Sequence, residues 1–539
     1  MLMKYPIGIQ SFEQIITDGY AYVDKTALIY RLTHEGKVYF LSRPRRFGKS
    51  LLVSTLKNYY LGRKELFKGL AMEQLETEWK QYAVFHLSFG GQNYVEPYTL
   101  DKVLEEFVAS GERTYGKEKL ALTLGSRFKA VLKKAHEQTG LRCVVLVDEY
   151  DKPLLDVMGK PDTMCVNNVD ITFEEHNRNL LKGFYSVFKE ADDDLQFVLL
   201  TGVTKFSQVS VFSGFNQPND ISMNVGYDTI CGISEEELET YFHASIEEMA
   251  EVNGCSYDEM KDVLRRHYDG YHFSGRMKGV YNPFSLLNAF FNSDIRDYWF
   301  ATGTPTYLIR LLNNYHEYLN ELTGRYYEMK DFVDYRADRE MPLPMIYQSG
   351  YLTIKDYKPR RGTFLLDFPN DEVKNGFVTM VAASYLQTRE LPSSWVQTVL
   401  DALEDGDTEK IHVLLTSFLA SIPYTVRRHE NEREQERYFT YTLYLIFRII
   451  SCYATYVEKE QSYGRLDCCV ETPEHVYIFE FKLDGDAKAA LEQINARGYD
   501  REYLASGKTI HKIGVSISSE TGTVNDWVAT DHGGHFSAK

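Results

Sequence analysis

The feature that most constrains this chain is the run at residues 37–57, KVYFLSRPRRFGKSLLVSTLK. Four apolar residues at 38–41 predict a short buried strand, and the pattern that follows Gly48-Lys49-Ser50 predicts a helix with one apolar face. A strand, a loop ending in Gly-Lys-Ser and then a helix form the setting in which backbone N–H groups and the helix dipole bind phosphate. The run therefore predicts a phosphate-binding loop.

One position departs from the usual G-x-x-x-x-G-K-[ST] spacing, because Arg43 stands where the first glycine is expected. On this pattern alone, Gly-Lys-Ser is explained equally well as the N-cap of a helix. In a phosphate-binding loop, Lys49 would reach the β- and γ-phosphates, and the Ser50 hydroxyl would hold Mg²⁺. A second element is needed to decide between these readings.

The second element is the apolar run at 143–147 that ends in Asp148-Glu149. This pattern is typical of a Walker B strand, in which Asp148 would hold Mg²⁺ through water and Glu149 would polarise the attacking water. Runs of this kind are common by themselves, but the combination with an upstream Gly-Lys-Ser favours a nucleotide site. A third strand at 197–202 places Thr201 where a polar side chain can sense the γ-phosphate.

The alternation of these strands with helices predicts an α/β fold with a parallel sheet covered by helices on both sides. Ligands of such sheets bind at the carboxyl ends of the strands. We therefore expect ATP and Mg²⁺ at that edge.

A separate cluster of charged residues lies near the end of the chain, where Asp467 precedes Glu480 and Lys482 in the pattern D-x₁₂-E-x-K. In a strand, Glu480 and Lys482 face the same side, and Asp467 on a neighbouring strand can meet them. Two carboxylates are costly to bury unless a cation neutralises them, and hard oxygen ligands suit Mg²⁺ or Mn²⁺. The alternative is a pair of exposed hairpin strands with mixed charges.

Composition narrows the setting in which the protein works. At 539 residues the chain is too long for one core, so about two to four domains are expected. The net charge of −17 argues against a broad coat of non-specifically bound DNA but allows a local basic patch. Seven cysteines without a C-x-x-C pair suit a reducing cytosol, and no apolar run is long enough for a membrane span. We expect a cytoplasmic protein without a membrane partner.

Short segments of the chain resemble the predicted AAA-ATPase-like family of bacterial proteins, in that family's order. The resemblance implies ATP binding through the loop residues Arg45, Arg46, Phe47, Gly48, Lys49, Ser50 and Leu51, and an arginine-rich loop without its first glycine is usual there. The matching segments are YPIGIQSFEQI (5–15), YVDKT (22–26), RPRRFGKSLL (43–52), VDEYDKP (147–153), LTGVTKFS (200–207), YDGYHF (268–273), YNPFSLL (281–287), YWFATGTP (298–305) and YQSGYLTI (347–354).

The C-terminal region resembles the PD-(D/E)xK nuclease superfamily through GRLD, FEFK and ALEQI followed by GY. The resemblance implies that Asp467, Glu480 and Lys482 form the catalytic set, with Asp467 and Glu480 as metal ligands. It also matches Glu436 to a glutamate on the preceding helix and Gln493 to a glutamine on the following helix. No position of the catalytic set is replaced.

The predicted fold class is α/β, with a P-loop AAA-like parallel sheet flanked by helices first and an α/β restriction-endonuclease-like domain last. Between them we expect a helical lid and a winged-helix-like region that contains hairpin strands near 351–354 and 363–368. The predicted domains are 1–232 (ATPase core), 233–290 (lid), 291–422 (winged-helix-like region) and 423–539 (nuclease-like domain).

The preferred hypothesis is a P-loop ATPase whose nucleotide controls cleavage of nucleic acid by the C-terminal domain. The alternative is a regulatory, switch-type ATPase whose C-terminal domain binds nucleic acid or another partner without cutting it. The acidic balance favours the alternative, whereas the intact Asp467, Glu480 and Lys482 favour the nuclease. The sequence leaves open DNA against RNA and the oligomeric state, a homo-oligomer included.

Overall fold

The computed structural model divides the chain into two compact units, Met1–Lys374 and Asn375–Lys539. Both units combine helices with strands, so the predicted α/β class is confirmed. Among the described residues, no helix has the length and apolarity that a membrane span requires. The structure describes residues 3–166, 168–206, 218–301, 322–333, 342–386, 393–421, 454–461 and 464–532.

The first part of the first unit alternates helices with the strands of its main sheet. Its elements, in chain order, are α1 (Phe12–Thr17), α2 (Thr26–Glu35), β1 (Val38–Ser42), α3 (Lys49–Tyr60), a 3₁₀ turn (Lys64–Phe67), α4 (Ala71–Leu75), β2 (Val84–Ser88), α5 (Thr99–Tyr115), α6 (Leu124–Thr139), β3 (Cys143–Asp148), α7 (Lys152–Leu155), β4 (Thr163–Val166), β5 (Val169–Thr172), α8 (Phe173–Tyr185), α9 (Val187–Glu190), a second 3₁₀ turn (Asp192–Asp194), β6 (Leu195–Gly202) and β7 (Asn219–Asp220).

The main sheet has five parallel strands in the order β2-β3-β6-β1-β7. Every residue of β3 is buried, as expected for a central strand whose two faces are both covered. Strands β3, β6 and β1 are neighbours, with Leu41 opposite Thr201 and Val147 opposite Leu200. The segments that follow these three strands therefore meet at one edge of the sheet.

Residues 233–290, the segment predicted to be a lid, contain a hydrophobic core cluster of their own. Its first long helix begins in a capping box, in which the Ser234 hydroxyl accepts the Glu237 N–H and the Glu237 carboxylate accepts the Ser234 N–H. Leu238, Phe242 and Leu286 are among the buried side chains that join its helices. The elements are β8 (Ile233–Ser234), α10 (Glu235–Asn253), α11 (Tyr257–Tyr268), β9 (Tyr271–His272), β10 (Gly279–Tyr281), α12 (Pro283–Asn292) and α13 (Tyr298–Ala301), and the three strands form a small antiparallel sheet.

The middle region contains the predicted hairpin within a three-stranded antiparallel sheet of order β11-β13-β12. Other parts of the predicted winged-helix-like region, at 302–321 and 334–341, lie outside the described residues. The elements are β11 (Arg325–Glu328), α14 (Met329–Phe332), α15 (Leu343–Gln348), β12 (Thr353–Lys358), β13 (Thr363–Asp367) and α16 (Asp371–Leu386).

The second unit is built on a five-stranded sheet of order β14-β15-β16-β17-β18, in which only the β16–β17 pair is parallel. The connection between these two strands is α19, and a Cβ at Gly514 would lie 2.1 Å from the Ala487 carbonyl oxygen of that helix. This close approach requires glycine on β17. The elements are α17 (Ser393–Glu404), α18 (Thr408–Ser421), β14 (Ala454–Gln461), β15 (Gly464–Glu471), β16 (His475–Leu483), α19 (Ala487–Arg497), a 3₁₀ turn (Arg501–Tyr503), β17 (Thr509–Ile517) and β18 (Val524–His532).

Candidate functional site

The loop between β1 and α3 has the backbone geometry of a phosphate-binding loop. Gly48 caps α3 with φ 91°, a left-handed conformation that glycine adopts without steric cost. Arg46 also has positive φ, at 68°, which is uncommon for a residue with a side chain. The turn brings the chain back over the N-terminus of α3, where free N–H groups and the helix dipole favour an anion.

Lys49, the first residue of α3, is held over this loop. Its ammonium donates to the carbonyl oxygens of Arg43 at 2.8 Å and of Pro44 at 2.9 Å. Burial lowers the pKa of Lys49, and the charge of nearby Asp148 acts in the opposite direction. The structure thus presents a buried cation whose partners are neutral carbonyls that phosphate oxygens can replace.

Arg43, at the position of the missing glycine, supports the loop from behind. Its guanidinium donates to the carbonyl oxygens of Ser42 at 2.9 Å, Ser222 at 2.7 Å and Tyr227 at 3.2 Å, and lies 4.0 Å from the Phe273 ring centre. Only 1% of Arg43 is exposed. Arg43 is therefore part of the packing that holds the loop.

The Walker B residues lie at the same edge of the sheet. Asp148 ends β3, is 5% exposed, and accepts a hydrogen bond of 2.6 Å from the Thr201 hydroxyl at the end of β6. Glu149 follows with φ 55° and lines the cavity in front of α3. The contact engages the Thr201 hydroxyl with Asp148, a role that sequence reasoning did not foresee. The predicted sensing role of Thr201 stays a prediction.

Asp151 is a site residue that sequence reasoning missed. Its carboxylate is buried and accepts the backbone N–H groups of Val203 at 2.9 Å and Thr204 at 2.6 Å, so it ties the Walker B segment to the loop after β6. Burial raises the pKa of Asp151 to about 6. The signal in the sequence was the second aspartate of VDEYDKP.

Lys49, Glu149 and Asp151 line a cavity of about 430 Å³, within the roughly 300–1,000 Å³ of typical ligand pockets. The predicted site residues Asp148 and Thr201 are not among the residues that line it. The sequence predicted the contribution of the loop and of Glu149 to this cavity, but not the walls formed by residues 6–10 and by α12. The YPIGIQ motif was the available signal for the first wall. The residues that line the cavity include Arg45, Arg46, Gly48, Lys49, Ser50, Leu51, Glu149, Asp151, Phe284 and Asn288.

Two of the predicted loop residues differ in where their side chains lie. Phe47 is 1% exposed and packs edge-on against Tyr271, with ring centres 4.7 Å apart. Only the backbone of Phe47 is therefore available to a nucleotide in this cavity. Arg46 lines the main cavity, and its guanidinium lies 4.9 Å from the ring centre of Phe284 on α12. Both aromatic contacts thus join the loop to residues 233–290, the segment predicted to be a lid.

The second unit brings together four of the five predicted nuclease residues. The Asp467 carboxylate on β15 accepts the Phe481 N–H of β16 at 2.9 Å, which places it beside Glu480. Lys482 donates to the Gln493 side-chain oxygen at 2.8 Å and lies 3.8 Å from the Glu480 carboxylate. The Gln493 amide, on α19, in turn donates to Glu480. The fifth residue, Glu436, lies outside the described residues.

Glu480 is the electrostatic centre of this cluster. It is 1% exposed, and one of its carboxylate oxygens, Oε2, has no hydrogen-bond partner among the described residues. Burial, and then the charge of Asp467, raises the pKa of Glu480 to about 8, while Lys482 acts in the opposite direction. A buried carboxylate oxygen with a free lone pair, next to a second carboxylate, fits a hard divalent cation such as Mg²⁺ or Mn²⁺. Within the described part of the chain no group of three acidic, histidine or cysteine side chains could hold a metal.

Comparison with known proteins finds two separate parts of the chain that match known families. Residues 6–212 match the family described as Predicted AAA-ATPase, and residues 434–527 match the PD-(D/E)XK nuclease superfamily. An Azotobacter chroococcum mcd 1 protein named "Uncharacterized protein in vnfD 5'region" is 34% identical over 541 residues, covering 98% of this chain and 99% of that protein. The chain therefore belongs to the predicted AAA-ATPase family and carries a C-terminal domain of the PD-(D/E)XK nuclease superfamily.

Proposed function

We propose that the protein hydrolyses ATP in the first unit and that the nucleotide regulates metal-dependent cleavage of nucleic acid phosphodiesters in the second. The observation that carries the proposal is the buried Glu480, which lies among Asp467, Lys482 and Gln493 with one oxygen unpartnered among the described residues. A module that only binds a partner does not need to bury such a group, because a buried polar oxygen without a hydrogen-bond partner is costly.

In the first unit, the residues around the cavity can each be given a part in ATP hydrolysis. Lys49 exchanges its two loop carbonyls for phosphate oxygens, and the guanidinium groups of Arg45 and Arg46 balance the charge of the phosphates. Glu149 orients the attacking water, whose oxygen bonds to the γ-phosphorus as the bond to ADP breaks.

Mg²⁺ fits the same place because Ser50 and Asp148 supply hard oxygen atoms at the edge of the sheet. When bound, it would neutralise charge on the β- and γ-phosphates. Thr201 keeps Asp148 oriented through the hydroxyl–carboxylate bond. Asp151 holds the loop after β6 next to the cavity through its bonds to the backbone of that loop.

In the second unit, Asp467 and Glu480 would hold Mg²⁺ or Mn²⁺, which supplies polarisation of the scissile phosphate when bound. Lys482 lies beside the carboxylates and orients the attacking water, whose oxygen bonds to phosphorus while the P–O bond to the leaving sugar breaks. Gln493 fixes both neighbours at once, because its carbonyl oxygen accepts from Lys482 and its amide donates to Glu480. Glu436 stays a predicted member of this site.

The test is cleavage of labelled single- and double-stranded DNA and RNA by the full-length protein in Mg²⁺, Mn²⁺ or EDTA. We expect cutting that needs the metal and is lost in Asp467→Asn. The matched control is Asp405→Asn, which should cut like the wild type. Asp405 is exposed in the turn between α17 and α18, and the next residue, Gly406, lies against His475 at the start of β16, the opposite end of that strand from Lys482. Absence of metal-dependent cutting on every substrate, with ATP hydrolysis intact, would overturn the nuclease assignment and favour the switch-type ATPase.

A further inference from the structure

The hairpin of β12 and β13 in the first unit ends in a rigid turn. The Lys358 carbonyl accepts the N–H groups of Arg361 at 3.0 Å and Gly362 at 2.9 Å, and Gly362 takes φ 65°. Pro359 fixes one further backbone angle of the turn. The side chains between the strands therefore project from a preformed support.

Three cations stand at this tip, namely Lys358, Arg360 and Arg361, and all three are exposed. Lys358 lies 3.7 Å from Asp356 and 5.0 Å from the ring centre of Tyr326. Arg360 and Arg361 have no carboxylate partner among the described residues. We call residues 356–362 the basic hairpin. In a chain with net charge −17, such a cluster is a local exception that needs an explanation.

Aromatic surface adjoins these charges. Tyr326, on the neighbouring strand β11, is 42% exposed, and its hydroxyl donates to the Asp356 carboxylate at 2.5 Å. That bond occupies the acidic group nearest the tip and holds the ring beside Lys358. Guanidinium groups bind phosphates through paired donors, and an exposed aromatic ring offers a face on which a base can stack.

We propose that the basic hairpin binds the phosphate backbone of nucleic acid, as an anchoring surface separate from the cleavage site. The inference rests on the proposed function, because the chain must meet nucleic acid for such a surface to serve it. Two arginines without a carboxylate partner in the described parts of the chain, next to an aromatic ring, favour nucleic acid over an acidic protein, for which charge alone would suffice. Recognition through phosphates does not depend on base sequence.

The hairpin region is joined to the nucleotide site by direct contacts. Gln348, just before β12, accepts the Lys205 N–H at 2.8 Å in the loop that follows β6. The backbone at Gly350 approaches the phosphate-binding loop so closely that an added Cβ would lie 2.6 Å from the Pro44 side chain. Through these contacts, nucleic acid bound at the hairpin can act on the phosphate-binding loop and on the segment that follows β6. We expect it to stimulate ATP hydrolysis.

The binding test uses the full-length protein in EDTA, so that no cutting occurs, with fluorescein-labelled 30-base DNA and RNA, single- and double-stranded. Arg360→Glu/Arg361→Glu should weaken binding at least tenfold and reduce the slope of log affinity against log salt by about 2. The matched control, Lys117→Glu/Lys119→Glu, makes the same charge change on an exposed loop and should bind like the wild type. Equal weakening by both double variants, or no binding by the wild type, would overturn the proposal.

Two further readouts separate this inference from the proposed function. Unlabelled poly-glutamate is added as a competitor of the labelled oligonucleotides. If it displaces them as effectively as unlabelled oligonucleotides do, an acidic polypeptide replaces nucleic acid as the ligand of the basic hairpin. In Mg²⁺, nucleic acid should raise the ATPase rate of the wild type and of the control but not of the hairpin variant, whose basal rate should be unchanged. Hairpin-dependent binding by a wild type that never cuts would support the inference while the nuclease fails. If the Arg360→Glu/Arg361→Glu protein cuts and binds nucleic acid like the wild type, the inference fails while the nuclease assignment stands.

Discussion

The two candidate sites differ in how their charges are held. In the candidate nucleotide site, Lys49 and Asp151 are bonded to backbone groups and Asp148 is bonded to the Thr201 hydroxyl. In the nuclease-like site the partners are mostly other charged or amide side chains, and the central carboxylate keeps one oxygen without a partner among the described residues. In the first site, the charged side chains are therefore held by the backbone and a hydroxyl of the folded chain. The second is an electrostatic cluster that a cation would complete.

The largest expected effect comes from removing the charge at the centre of the second site. Glu480→Gln should lower metal-dependent cleavage by about 10³-fold or more, since Mg²⁺ loses a ligand. The same change should raise the melting temperature of the metal-free protein, because it removes a buried carboxyl whose pKa burial has raised. Cleavage assays and thermal melting in EDTA measure the two results.

The control for this variant is Glu492→Gln, which makes the same chemical change at an exposed position next to Gln493 on α19. It should alter neither cleavage nor melting. A Glu480→Gln protein that cuts normally would contradict the assigned site. A Glu480→Gln protein that is strongly destabilised in EDTA would show that Glu480 stabilises the fold and is not a ligand of a bound cation.

The next effect tests the first site. Lys49→Ala should lower the rate of ATP hydrolysis by about 10²–10³-fold, because the cation that binds the phosphates in the transition state is lost. Lys57→Ala, in the last turn of the same helix, should hydrolyse ATP like the wild type. Steady-state release of phosphate measures both. Equal activity of the two variants would remove the phosphate-binding role from this loop.

A third prediction concerns the residue that departs from the usual loop pattern. Arg43→Gly, which restores the expected glycine, should destabilise the first unit by roughly 3 kcal/mol, because it empties a buried position and leaves carbonyl groups unpaired. Arg45→Gly, at an exposed loop position, should instead weaken ATP binding without lowering stability. Denaturant unfolding and ATP titration distinguish the two. A stable Arg43→Gly protein with improved ATP binding would refute this account of Arg43.

The smallest effect tests how the loop is braced. The Trp299 indole N–H donates to the Arg45 carbonyl at 3.1 Å. Trp299→Phe should remove this hydrogen bond and so lower the stability of the loop conformation by about 1 kcal/mol. We expect the KM for ATP to rise severalfold, with a smaller change in kcat. Trp79→Phe is the matched control, because the Trp79 indole N–H is buried with no partner among the described residues. An unchanged KM in Trp299→Phe would show that the loop holds its shape without this bond.

The sequence predicted the elements with strong local patterns. Buried strands followed by Gly-Lys-Ser and by Asp-Glu are local signals, and so is the E-x-K pattern of β16. The contacts of Arg43 with Ser222 and Tyr227 were out of reach, because they join positions far apart in sequence. The strand β18 was also missed, since its mixed polar residues do not form a clear alternating pattern.

The role of Asp151 shows a similar limit. A second aspartate after Asp-Glu is visible in the sequence, but its burial and its bonds to Val203 and Thr204 depend on the position of β6 beside β3. The domain boundaries predicted at 232, 290 and 422 stay predictions. The division of the chain into units at Lys374 and Asn375 falls within helix α16, where the sequence offers no glycine- or proline-rich linker as a signal.

The measurement that tests the central claim most directly is the rate of metal-dependent cleavage by the full-length protein with and without ATP, in the wild type and in Lys49→Ala. We expect ATP to change the wild-type rate severalfold and to leave the Lys49→Ala rate unchanged, because both proteins keep the nuclease site intact but only the wild type responds to the nucleotide. Cleavage that is identical in all four conditions would contradict regulation by the nucleotide and leave two independent activities on one chain.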